Sequence, residues 1–263
     1  MICSDPAITY LKDFGYSIVR LPRRDFAPLQ ILAASGKELD NLGQLSTVMA
    51  PGGKLPAVKA DEAAANISGQ RTSDLSLGVG LNILGNVIGA MGGGKLGLDV
   101  AYKNARSVAF EFVDVLRDSI EIAELDKYLG SVDVDPAAKH LGAMLDGDEI
   151  YVVTATIKSK KFSVAAKAQD SAEVKIDVPT IQQVVGGNVK ASASSGSSGT
   201  LTFEGKEPLV FGFQAVQLYY DDGHYTAFQP LPPGDIAARA LRLDKRPADV
   251  VLLEKRGAFI RLR

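Results

Sequence analysis

The sequence has no tryptophan, a single cysteine at position 3 and two histidines, His140 and His224. One cysteine excludes an intramolecular disulfide framework and a paired-cysteine metal site. It is compatible with a reducing compartment. The histidines lie far apart in the sequence and sit in no recognised frame. HExxH, GxSxG, a Walker A loop and a GxGxxG after a clear strand are all missing, and Gly78, Gly80 and Gly85 do not have dinucleotide spacing. Asp221-Asp222, in its Tyr-Tyr-Asp-Asp-Gly-His-Tyr setting, reads as a turn rather than a metal pair. An excess of one charge is also lacking: 29 Lys and Arg face 31 Asp and Glu, for a net charge of −2. The electrostatic footprint of a nucleic-acid binder is therefore absent. No stretch supplies the ~18 continuous apolar residues of a spanning helix. The nearest, 75–91, is broken by glycines, Asn82 and Asn86. The opening Met-Ile-Cys-Ser-Asp-Pro has no basic and apolar regions of a secretory leader. Catalysis, a metal and a cofactor are not expected.

What the chain does have is alternation. With 263 residues and 46% hydrophobic content it can bury a large core. Leu75, Leu77, Val79, Leu81 and Ile83 fall on one face of a period-two pattern, against Asp74, Ser76, Gly78, Gly80 and Asn82. After the turn signal Met91-Gly-Gly-Gly, the pattern restarts at Leu96, Leu98, Val100 and Tyr102, then resumes at Val108, Phe110 and Phe112. Period two predicts strands, so 71–112 reads as a long hairpin. A second hairpin pattern spans 160–204. Phe162, Val164, Ala166 and Ala168 alternate with Lys161, Ser163 and Lys167, and Val174, Ile176 and Val178 keep the same parity. Val189, Ala191, Ala193, Leu201 and Phe203 form its return, interrupted by the serine-glycine run 194–198. Strands of this length pass the usual ~5–6 residues and reach the ~9–11 that cross a bilayer.

The remaining elements follow from shorter signals. Residues 6–14 read as a short helix, Tyr16–Pro22 as a strand and Pro28–Gly36 as a strand or short helix. Residues 40–57 read as strand or loop with a Pro51-Gly-Gly turn. Ala60–Asn66 is rich in helix formers but short. Helices are expected over about 117–129, stopped by Gly130, over 136–145, and over Pro179–Val185 with Gly186-Gly187 as the stop. Segments 149–157 and 209–220 read as strands, and Asp222-Gly223 as a hairpin turn. The fold class is α+β, a twisted antiparallel sheet with peripheral helices.

The long segments admit two readings. They form an ordinary sheet with one wet face, or they hold two conformations and become continuous paired strands in a membrane. Cys3 is an idle thiol or an acyl acceptor, and each buried methylene of such a chain contributes about 0.8 kcal/mol. The end of the chain is a last strand, or an apolar plug behind a stretch with Arg239, Arg242, Lys245 and Arg246 that is open to nicking.

Taken in order, these features resemble the gasdermins, specifically the short bacterial ones. The resemblance is carried by the near-terminal Cys3, by Tyr10-Leu-Lys-Asp-Phe-Gly-Tyr-Ser-Ile-Val-Arg-Leu-Pro-Arg with Asp25-Phe-Ala-Pro-Leu, by the two amphipathic segments and by the brief apolar tail. The Ser192–Ser198 run departs from it, being less apolar than a return strand should be. The resemblance implies a gasdermin-like pore-forming domain over 1–243 and an autoinhibitory peptide over 244–263. A caspase-like or trypsin-like protease would cut near Leu241, Arg242, Leu243, Asp244, Lys245 and Arg246. That would release the tail residues Val250, Val251, Leu252, Leu253, Phe259, Ile260 and Leu262. A fatty, palmitoyl-like chain would sit on Cys3. The protein would be a cytoplasmic monomer before cleavage. Afterwards it would be a homo-oligomeric transmembrane β-barrel in the lipids of the bacterial inner membrane, killing phage-infected cells. Leu75, Leu77, Val79, Leu81, Ile83, Leu96, Leu98, Val100, Tyr102, Val108, Phe110, Phe162, Val164, Val189, Leu201 and Phe203 would face lipid. Asp99, Lys103, Lys161 and Lys167 would line the lumen. The competing readings are a soluble α+β binding or structural module without membrane activity and, less favoured, an enzyme with an unfamiliar site.

Overall fold

Two long strands organise the molecule. In the computed structural model, β8 (Ile150–Lys167) and β10 (Thr200–Asp221) pair antiparallel from Thr200↔Ala165 to Gln217↔Tyr151. The described residues are 11, 13–35, 38–72, 74–94, 97–168, 174–193, 199–221 and 224–230. Among them, eleven strands join in one antiparallel sheet. The outer side of β8 carries β2 (Gln30–Ser35), then β7 (Leu116–Ser119), then β6 (Ser107–Val113). The outer side of β10 carries β11 (His224–Pro230), β1 (Ser17–Arg23) and β9 (Lys190–Ala193). The edges are β3 (Glu38–Gln44) on β2, β4 (Lys59–Ala63) on β7 and the two-residue β5 (Leu75–Ser76) on β6.

The helices α1 (Leu77–Ala90), α2 (Leu98–Ala101), α3 (Ile122–Leu129), α4 (Lys139–Asp146) and α5 (Val178–Val185) lie between strands in the chain. Three of them end or begin as the sequence predicts. Gly130 caps α3, and α4 falls inside 136–146. In α5, the Asp177 side chain accepts from the Thr180 N–H, Pro179 occupies the first turn and Gly186 stops the helix at φ +75°.

The expected strand through 74–83 is corrected: residues 77–90 are helical. The segment satisfies two periods at once. Leu77, Leu81, Leu84, Ile88 and Met91 recur every three or four residues, which makes a helical face. Leu84, Ile88 and Met91 are buried, and Leu77 and Leu81 pack against the same core. The strand expected through Leu98–Tyr102 is likewise a single helical turn, opened by Gly97 at φ +85°. Residues 174–177 are irregular rather than strand, and Val178 begins α5. Lys59–Ala63 is an exposed strand despite its helix formers, because it pairs with β7. The expected helix 117–129 starts only at Ile122, because Leu116–Ser119 pairs with both β4 and β8. Segment 149–157 and the first arm of the second hairpin pattern are one strand, β8. The helix expected over 6–14 and the turn at 222–223 lie largely or wholly outside the described residues.

Candidate functional site: a core made of two segments

The buried apolar residues fall into separate clusters, and one of them has an unusual membership. Every buried member lies within 75–110 or 162–209, from Leu75 to Phe110 and from Phe162 to Leu209. The partly buried residues against it, from Leu77 to Phe112 and from Ala168 to Val184, come from the same two stretches. These are the segments that the period-two pattern singles out. The rest of the molecule is held by three other clusters, centred on Ile31 and Leu125, on Phe26 and Phe213, and on Ile67 and Phe211. The first segment therefore folds onto the second, with little of its core borrowed from the body.

The placement of each expected lipid-facing residue follows. Leu75, Leu98, Tyr102, Val108, Phe110, Phe162, Val164, Val189, Leu201 and Phe203 are buried together in this cluster. Leu77, Leu81 and Ile83 are half-buried against it. Val79 and Val100 are exposed, Val100 at 63%. Leu96, Cys3, the cleavage region 241–246 and the tail residues 250–253, 259, 260 and 262 lie outside the described residues. Of the expected lumen residues, Asp99 and Lys103 are exposed, while Lys161 and Lys167 pair across the segments with Asp114 and Asp74, each at 3.0 Å. Such exposed pairs contribute only about 0–1 kcal/mol, so the closed arrangement rests on apolar packing.

That packing is close where α1 meets the sheet. A Cβ on Gly80 would stand 1.9 Å from Val108 Cγ2, and one on Gly93 would meet Ile88, Val189 and the Val185 carbonyl within 2.8 Å. Phe162 and Phe203, opposite each other in β8 and β10, stack with centroids 5.2 Å apart. Yet α1 is a poor helix in isolation. It carries glycine at 78, 80, 85 and 89, its N-cap Ser76 makes no capping bond, and no acid or base complements its ends. Each glycine costs about 1 kcal/mol relative to alanine. Nothing lies within 4 Å of the Cβ positions of Gly78 and Gly89, so the closed packing needs glycine at neither.

The segments end at a pinned base. Both central strands are irregular there: the β8–β10 register shifts between Glu204 and Leu209, around Pro208. Ser159 Oγ donates to the Val113 carbonyl at 2.5 Å and accepts from the Lys161 N–H at 2.9 Å. Beside it, Lys158 Nζ donates to Asp118 at 2.6 Å and Asp61 at 2.9 Å, and Asp118 accepts the Asp61 N–H at 2.8 Å. Burial works against the charge on Lys158, but its hydrogen bonds to Asp118 and Asp61 outweigh this and raise its pKa above the usual 10.5. A raised folded value means that this stabilisation is complete below pH 10.5 and fades as pH climbs through the folded value. Asp118→Ala should therefore lose about 3 kcal/mol of unfolding free energy at neutral pH. In urea titrations repeated across pH, the gap from the parent should narrow only above pH 10.5.

Among the described residues, no three His, Cys, Asp or Glu side chains converge to hold a metal. His140 and His224 are exposed, and His224 Nδ1 lies 3.5 Å from Asp133. No helix among the described residues is long and apolar enough to cross a membrane. Sequence reasoning missed the Lys158–Asp118–Asp61 base, since its members are far apart in the chain and the only local trace is a lysine run.

The sequence pattern of the Bacterial Gasdermin Family matches residues 19–224. The relative named Gasdermin bGSDM from a Desulfuromonadales bacterium is 49% identical over 265 residues, covering 100% of this chain and 99% of its own. Gasdermin bGSDM from Lysobacter enzymogenes is 40% identical over 245 residues, 92% of this chain and 90% of its own. The solved structure of a bacterial gasdermin from Bradyrhizobium tropiciagri shares the fold, with a TM-score of 0.59 at 17% identity, over 85% of this chain and 89% of that one. A convertible core formed by two long segments, a family pattern spanning most of the chain and relatives matched end to end agree: this chain belongs to the bacterial gasdermin family.

Proposed function

We propose that the protein is the closed precursor of an oligomeric β-barrel pore, and that residues 71–112 and 160–204 are its membrane-inserting segments. Membership of a pore-forming, non-enzymatic family supports the coarse role. The single observation that carries the finer assignment is the core whose buried members all come from 75–110 and 162–209. Two segments that bury each other can leave together without dismantling the three clusters of the body. The chain order on the sheet supports it too. β5, β6, β8 and β10 lie side by side and antiparallel, so the arms of two hairpins are already neighbours. Extension of β5 through α1, and of β6 back through α2, lengthens strands whose first pairs exist. In a bilayer, every backbone group of those strands must pair within a closed barrel, which requires many copies.

Activation in this reading is proteolytic. The peptide 244–263 restrains the body over 1–243, and a caspase-like or trypsin-like protease cuts between Leu241 and Arg246. Once cut, the tail's effective concentration collapses and its contact becomes bimolecular. An acyl chain on Cys3 adds membrane affinity, since one chain alone anchors marginally. The precursor is a cytoplasmic monomer, the target is the bacterial inner membrane, and the outcome is death of a phage-infected cell. A single experiment tests the core of this. The full chain, carrying an inserted protease site at 243–244, should release dye from phospholipid vesicles only after cutting. A cut protein that stays monomeric and leaves vesicles intact would overturn the reading. Intact-mass measurement of protein from its native host checks Cys3, with an added fatty acyl mass expected.

A further inference from the structure

One polar atom sits wrongly in the core of the two segments. Tyr102 is fully buried, at 0% exposure, and its hydroxyl has no hydrogen-bond partner. Among the described residues it is the only such side-chain atom within 75–112 or 160–204, the others being Arg117 Nε, Thr156 Oγ1 and Tyr220 Oη. Other tyrosine hydroxyls find partners: Tyr225 donates to Asp126 at 2.6 Å and Tyr219 to Gln217 at 3.1 Å. Tyr102 follows directly on α2, its N–H bonds the Leu98 carbonyl and its own carbonyl accepts from Ala105. That turn aims the ring at the apolar cluster. Burial alone drives the phenol's pKa far above the ordinary tyrosine value, which excludes relief by ionisation.

We propose that the unpartnered hydroxyl of Tyr102 is a built-in bias toward opening: it raises the free energy of the closed arrangement of 75–112, and departure from the core restores its hydrogen bonds. A buried hydroxyl without a partner forfeits the bonds it made to water, and an apolar group of the same shape does not. The same side chain is favoured at a membrane surface, where a ring lies in apolar surroundings and its hydroxyl stays wet. The closed state alone is penalised, so the residue shifts the balance between closed and open forms without touching a ligand. The first half of this is a property of the closed fold. The second half, faster insertion, rests on the pore-forming reading.

The test uses the full chain with the inserted protease site, as the parent, as Tyr102→Phe and as Tyr220→Phe. Tyr220 is the matched control, since its unpartnered hydroxyl lies in the body core with Ile31 and Leu125. Hydrogen exchange of peptides from 77–112, before cutting, reads local opening. Tyr102→Phe should slow that exchange by about tenfold, and Tyr220→Phe should leave it unchanged. Dye release from phosphatidylethanolamine–phosphatidylglycerol vesicles after cutting should be several-fold slower for Tyr102→Phe than for the parent. Unchanged or faster exchange in Tyr102→Phe overturns the bias itself. Slower exchange with parental leakage overturns its coupling to insertion. A parent that never leaks removes the pore-forming reading and that coupling together, while the exchange result still decides the first half.

Discussion

Val100→Asp leaves the closed protein as stable as the parent and abolishes leakage after the tail is cut. Val100 is 63% exposed in the closed form, on the four-residue α2. Surface substitutions of this kind change stability by about 0.5 kcal/mol or less. In the extended form Val100 shares a face with Leu98 and Tyr102, and that face meets lipid. A carboxylate near the centre of the bilayer costs about 2.5–3.5 kcal/mol, and each copy in the ring bears it again. The comparison with Val100→Leu, which should leak normally, separates charge from shape. Leu77→Asp probes the same idea less cleanly, because Leu77 is half-buried against the core and its loss weakens the closed state as well. Normal leakage by Val100→Asp, measured beside an unchanged urea midpoint, would remove Val100 from the lipid-facing set.

Gly80→Ala acts in the opposite direction, by forcing the closed form apart. Alanine in an exposed helix would gain about 1 kcal/mol over glycine. At this position the new methyl would stand 1.9 Å from Val108 Cγ2, on a strand that cannot yield because β8 backs it. Overpacking costs about 1–3 kcal/mol, so the clash outweighs the gain in helix propensity. The expected result is faster hydrogen exchange across 77–94 in the uncut protein, with the body peptides 150–157 and 210–220 unaffected. Adding Val108→Ala makes room for the methyl and should restore much of the protection. The contrasting substitution Gly89→Ala, where nothing lies within 4 Å, should slow exchange in the same segment. If all three variants exchange alike, the contact between Gly80 and Val108 does not hold α1 in place.

The architecture was legible in the chain where one period stood alone. At 150–157, 162–166 and 209–220, alternation has no helical rival, and strands formed there. The helix 178–185 was legible because Asp177, Pro179 and Gly186 mark both of its ends. Two periods coexist at 75–91, and periodicity could not choose between them. The choice was made by packing against Val108 and the neighbouring core, a contact between residues far apart in sequence. Lys59–Ala63 shows the same limit from the other side: helix-forming residues were overruled by pairing with β7, with Asp61 held at φ +59°. Of the site, the membership of the two segments was readable from alternation, and what lies on the outer face of α1 and α2 was not.

The long strands β8 and β10 run without a break from the body into the convertible core, the first over 18 residues and the second over 22. A ribbon growing toward a bilayer would therefore begin from a primed end. Its first rungs are already fixed in register, and each further residue adds to a ladder instead of founding one. The slow step then lies in peeling α1 and α5 away, and elongation follows as a zipper whose alignment was set when the chain first folded.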